Sequence, residues 1–290
     1  MMFAPGAAQG RSQDGVLHGR AAWRAALGRG LLMWGLASGL VWGLSACVAD
    51  KPRDSKDLVT ASDQTDADRR AKVRMELAEA YFGRGMNTTA LDEVKQAIVA
   101  KPTSVEAYNL RGLIYASLNQ PQLAEESFRH ALRLAPSDLS TMHNYGWFLC
   151  QQRRFSEADA QYNTLVAQPE LRDASRALLA QGVCQARDFR LADAEKTLSR
   201  AYEIDPANPA TAVNLSEVLY KEGEFERARF YIRRVNSQDN LVTAQSLWLA
   251  LRVENRLRQD SQVRVLGNQL RGRFPEAPET LLFEKGRFDE

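Results

Sequence analysis

The side chains with the widest chemical repertoire are few in this 290-residue chain. They are three cysteines, Cys47, Cys150 and Cys184, and three histidines, His18, His130 and His143. A thiol can carry a lipid, act as a nucleophile, hold a metal or bridge to a second thiol, and its neighbours decide which. No histidine stands at a metal-ligand spacing, and no HExxH occurs. A GxSxG elbow, a P-loop and a Gly-rich dinucleotide fingerprint are also missing. His143 beside Asn144 reads as a hydrogen-bonded packing residue. Glu125, Glu126 and Glu157 stand among basic neighbours and read as solvated helix faces. The groups that could run catalysis therefore lack partners. The chain is expected to be no enzyme and to use no cofactor, metal or small-molecule substrate.

Cys47 has a context of its own. Leu31–Ala46 is a sixteen-residue run without a charge, and Arg11, Arg20, Arg24 and Arg29 precede it. That is the layout of an export signal. The run is short for a transmembrane helix, which needs about 20 residues. It ends in Leu44-Ser45-Ala46-Cys47, which resembles the bacterial lipobox, where small residues precede a cysteine that becomes lipidated. Residues 1–46 are thus expected to be a lipoprotein signal peptide and Cys47 the lipidation site. Val48 follows, not Asp; by resemblance to lipoprotein sorting rules this favours the periplasmic side of the outer membrane. Several acyl chains would anchor the protein firmly, at roughly 0.8 kcal/mol per buried methylene. Residues 47–70 are polar and lack apolar periodicity, so a flexible tether is expected. With the leader's arginines set aside the remainder is close to neutral, which gives no electrostatic reason to expect nucleic acid.

The elements that must position the other residues come from a repeat. Pro102 and Pro136 lie 34 residues apart near the ends of apolar-periodic segments. Aligned on them, Leu77, Ala78, Tyr81, Ala90 and Ala97 fall at positions 7, 8, 11, 20 and 27 of one repeat. Tyr108, Gly112, Tyr115, Ala124, Phe128 and Ala131 fall at 4, 8, 11, 20, 24 and 27 of the next. Arg111 stands where Leu is usual. This beat resembles the tetratricopeptide repeat (TPR). The expected fold is all-α: a solenoid of about six helix–turn–helix repeats over 71–276, near 71–104, 105–138, 139–172, 175–208, 209–242 and 243–276. Residues 277–290 form a C-terminal capping segment. Pro169 comes one place early, and two extra residues precede the fourth repeat. Small residues at 8, 20 and 27 let paired helices approach, and larger ones fill the remaining space.

The resemblance also implies a concave face lined by positions 2, 5, 9 and 12 of each first helix. That row holds Met75, Glu79 and Phe82, then Asn109 and Leu113, then His143, Trp147 and Cys150. Leu179 and Val183 follow, then Val213, Glu217 and Tyr220, and Leu247 and Leu251 close it. Its apolar centre suits an extended or helical peptide, with Trp147 as the anchor. Cys150 and Cys184, again 34 residues apart, fall on the same turn of neighbouring first helices. In an oxidising compartment a bridge is expected; two buried thiols acting as apolar fillers remain the alternative.

Asn144-Tyr145-Gly146-Trp147-Phe148-Leu149-Cys150 resembles the NYGxFLC segment of the type IV pilus biogenesis/stability lipoproteins, the PilF/PilW family. Gly182-Val183-Cys184, Ala228-Arg229-Phe230-Tyr231, Ser246-Leu247-Trp248-Leu249 and Phe274-Pro275 are similar to it too. The resemblance covers about residues 71–278. It implies a pilotin-like adaptor whose partner is the type IV pilus secretin and which helps that ring to localise, multimerise or stay stable. The alternative is a TPR lipoprotein adaptor for cell-wall enzymes or outer-membrane protein assembly.

Overall fold

The computed structural model describes residues 65–288. The expected signal peptide, Cys47 and the tether as far as residue 64 lie outside them. Thirteen α-helices and no strand occur among the described residues. They form six hairpins: α1 Asp66–Gly83 with α2 Asn87–Ala100, α3 Val105–Ser117 with α4 Pro121–Leu134, and α5 Leu139–Gln151 with α6 Phe155–Val166. The series continues with α7 Ser175–Arg187 and α8 Leu191–Ile204, α9 Pro209–Glu222 and α10 Phe225–Asn236, and α11 Ala244–Arg256 and α12 Asp260–Arg273. A last helix, α13 Pro278–Glu284, stands alone.

The tether was expected to run to residue 70, yet α1 begins at Asp66. Thr65 and Asp68 form a reciprocal capping box, which satisfies two backbone donors at the helix start. Lys101 also reaches Asp68 at 3.0 Å. A polar stretch without apolar periodicity was therefore converted to helix by its cap and by one contact from the next hairpin.

First helices mostly begin on capping side chains: Ser104, Asp138, Asn208 and Thr243 each accept from the first turn. They end in one recurring closure. Gln120 N–H donates to the Tyr115 carbonyl at 2.9 Å, Arg154 to Leu149 at 2.9 Å and Glu224 to Leu219 at 2.9 Å. This Schellman-type closure needs a left-handed residue in the turn. Gly85 and Gly223 supply it freely, while Phe189 is held there at φ 60° with its side chain 85% exposed.

Within a hairpin, position 8 faces position 24. A Cβ on Gly112 would come within 2.7 Å of the Phe128 ring, and one on Gly182 within 2.6 Å of Leu198 Cγ. In the fifth repeat Ser216 takes this place and donates its hydroxyl to the Ala228 carbonyl at 2.9 Å. Between hairpins, acids on one second helix reach arginines of the next repeat. Glu125 meets Arg154 at 2.6 Å, Asp159 meets Arg190 at 2.9 Å and Glu195 meets Arg227 at 2.5 Å. Glu125 is thus no solvated face: it also accepts from the Tyr145 hydroxyl at 3.0 Å, and the Arg154 guanidinium holds its carboxyl below the usual range. Arg111, out of pattern in the sequence, donates to Ser127 Oγ at 2.9 Å while the neighbouring Leu110 takes the buried place.

Cys150 and Cys184 are joined by a disulfide between α5 and α7, with Cα atoms 5.8 Å apart. The bridge spans the junction where the linker, residues 167–174, is longest. At the other end Leu247 and Leu251 are fully buried, in one cluster with Trp248 and with Phe283 and Phe288 of the closing segment.

Two outcomes follow from this packing. Gly182→Ala drives a methyl into Leu198 and is expected to cost about 1–3 kcal/mol in urea denaturation. Reducing the bridge frees a loop with a sequence separation of 34. It is expected to lower stability by about 3–4 kcal/mol, and the unreduced, denatured chain should show no thiol from this pair.

Candidate protein-binding groove

Neighbouring first helices touch one another directly, α3 with α5, α5 with α7, α7 with α9 and α9 with α11. No two second helices bring their backbones as close among the described residues, where they meet only through long side chains. The first helices therefore stand closer together and line the inside of the curve. This curvature follows from unequal bulk on the two sides of the stack.

Along that inner side Asn109, Leu113, His143, Trp147, Leu179, Val183, Val213 and Glu217 are all half-buried. Their lower parts pack on the core and the rest stays accessible. Trp147 and Leu113 lean on the cluster built around Phe128, Phe148 and Cys150. The Arg187 guanidinium lies 5.9 Å from the Trp147 ring centre, so the indole is covered in part by a cation from the next repeat. Asn144 donates to Asn109 at 3.1 Å and ties two first helices on this face. Glu217 meets Lys221 at 3.4 Å and Arg252 at 3.6 Å.

Four members of the expected row are not available. Cys150 is fully buried in its bridge. Leu247 and Leu251 are covered by the C-terminal segment instead of facing a groove. Tyr220 is 8% exposed, with Arg252 stacked 4.4 Å from its ring centre and Phe225 at 5.6 Å. The row thus offers its accessible apolar surface as far as Val213. The role of Arg187 was not legible in the sequence, because it depends on how far α7 leans over α5.

His143 sits inside this row with its ring edge-on to Tyr162 at 5.8 Å, and the Tyr162 hydroxyl donates to its carbonyl at 3.3 Å. Burial, with help from Arg176, lowers its pKa to about 4. The imidazole is neutral at ordinary pH, as a packing residue should be. His130 stacks on Tyr108 at 3.9 Å, and its pKa is lowered by burial and by Arg133 and Arg111. Among the described residues no group of three or more His, Cys, Asp and Glu could hold a metal ion.

Tetratricopeptide-repeat family descriptions match residues 105–138, 149–209 and 186–251. The type IV pilus assembly protein PilF of Pseudomonas aeruginosa is 27% identical over 250 residues, covering 84% of this chain and 95% of the relative. The crystal structure of PilW, described as a widely conserved type IV pilus biogenesis factor, superposes with a TM-score of 0.67 at 26% identity. It covers 73% of this chain and 96% of that one. The solved structure of P. aeruginosa PilF gives 0.65 at 24% identity, over 77% and 100%.

The buried imidazole gives the groove an acid limit. Between pH 6.5 and about 4 the unfolded chain protonates this histidine and the folded one does not. Stability is therefore full above 6.5 and is lost as pH falls toward 4. His143→Gln is expected to remove on the order of 2–3 kcal/mol of that acid loss, read from urea midpoints measured across the window.

Proposed function

Starting from a chain that is a tetratricopeptide-repeat homologue of the type IV pilus assembly protein PilF, we propose that it is a non-enzymatic adaptor of type IV pilus biogenesis. The observation that carries the reading is coverage: the likeness runs over 84% of this chain and 95% of PilF. What the array offers is a partly apolar inner row centred on Trp147, the kind of surface that takes an extended or helical segment of another protein.

The partner in this reading is the pilus secretin. Cys47 carries acyl chains that hold the protein on the periplasmic side of the outer membrane, and the solenoid works at the end of a short polar tether. A secretin subunit exposes unpaired strand edges until its ring closes, and such edges aggregate. A groove that holds one segment of the subunit delays that aggregation. The lipid anchor raises the local concentration of bound subunits at the membrane where they must assemble.

Trp147→Ala is expected to leave helicity unchanged while weakening secretin capture by about tenfold or more, as expected for an aromatic anchor. The measurement is co-purification from membranes, alongside a gel count of secretin multimers and of surface pili. Normal multimers and pili in a strain lacking the gene would sink the proposal.

A further inference from the structure

The array departs furthest from its packing rule on α7, on the side turned away from the groove. Positions 7 and 11 of the first helix are the wedge that fills the space under two successive second helices. They are Leu77 and Tyr81 in the first repeat, Arg111 and Tyr115 in the second, Tyr145 and Leu149 in the third, Leu215 and Leu219 in the fifth, and Leu249 and Val253 in the sixth. In the fourth repeat both are glutamines, Gln181 and Gln185, each 5% exposed. Two buried amides at a pair of positions where no other repeat is polar at both cost stability, so they call for a compensating use.

Above them lies a cleft of about 280 Å³ between α6 and α8. Asp159 on its wall accepts from Gln181 at 2.8 Å, from Gln185 at 2.9 Å and from Arg190 at 2.9 Å. These bonds fix the orientation of the Gln185 amide, since reversing it would set oxygen against oxygen. The remaining Gln185 Oε1 is buried and has no hydrogen-bond partner. It is an acceptor that needs a donor. The opposite wall is complementary: Thr197, with Lys196 and Arg200 one turn apart on α8, lines the same cleft. Neither cation forms an ion pair among the described residues, so both remain free to donate. Asp159, Asp188 and Asp193 together balance Arg190, Lys196 and Arg200, so the cleft and its rim carry no net charge.

A neutral group that donates at one end and accepts at the other fits this arrangement, and a carboxamide is such a group. We propose that the cleft between repeats three and four is a second binding site, on the face opposite the groove, for the carboxamide of a peptide segment. That carboxamide is either an asparagine or glutamine side chain or the peptide main chain. The Cys150–Cys184 bridge, one residue from Gln185 on α7, holds the two repeats in register and so keeps the cleft in shape before the ligand arrives.

The test uses the full-length chain labelled with nitrogen-15 and titrated to millimolar concentration with acetyl-Gly-Asn-Gly-amide or acetyl-Gly-Leu-Gly-amide. Saturable movement of the Gln185 side-chain amide resonance is expected. Preference for the first peptide assigns the site to side-chain amides, and equal response assigns it to the main chain. Gln185→Leu restores the residue type of neighbouring repeats, so it is expected to fold with a higher Tm while losing about tenfold or more in affinity. The exposed double variant Lys196→Ala/Arg200→Ala should weaken binding without moving Tm. No response to either peptide, unchanged affinity in Gln185→Leu, or tighter binding of free N-acetylglucosamine than of both peptides would each overturn the proposal.

Discussion

Everything in this protein rests on how closely two helices of a hairpin can approach. Where Gly112, Gly146 or Gly182 faces Phe128, Tyr162 or Leu198, the absence of a single methyl sets the distance. That distance fixes the tilt of each hairpin, and the tilt decides which side chains reach the next repeat. The inner row, the ion pairs between second helices and the disulfide are all downstream of it. Close approach of backbones is an all-or-none demand, because interiors are packed to near-crystalline density.

The stacking also explains why polar groups are found in semi-buried places. An acid on one second helix meets an arginine of the next repeat three times along the array. Such pairs add little when fully exposed. Here each bridges two hairpins, and two are flanked by further hydrogen bonds, from Tyr145 to Glu125 and from Gln181 and Gln185 to Asp159. Their effect is on register more than on total stability. A hairpin that slipped along its neighbour would separate the charges as well as the apolar wedge.

The repeat beat was legible because it depends on residue size at fixed intervals, and size can be read from letters. The small residues at position 8 recur in every repeat, and those at position 20 in the first five, which placed the hairpins. The bridge was legible as one of two outcomes, since equal turns of adjacent helices bring Cys150 and Cys184 near each other. Less could be read where one element acts on another out of sequence. Leu247 and Leu251 hold positions that would face a groove if a further repeat followed, but a different segment follows and covers them. Tyr220 disappears beneath Arg252 for a similar reason. The start of α1 was missed because its cap pairs threonine with an aspartate, where the longer glutamate is the usual signal. Gln181 and Gln185 stood in plain view as exceptions to the beat, yet only the cleft above them gives the exception a meaning.

The closing segment has a consequence for assembly. A stack of like units is, in principle, an endless surface: the face that receives one hairpin could receive the first hairpin of another molecule, and so on into a fibre. Such head-to-tail contacts do not close on themselves. Here Trp248 stacks on Phe288 at 5.6 Å, and Phe283 fills the space over Gly267. The last stacking surface is consumed from within the chain, so that end cannot seed polymerisation, and the length of the scaffold is written into a single polypeptide.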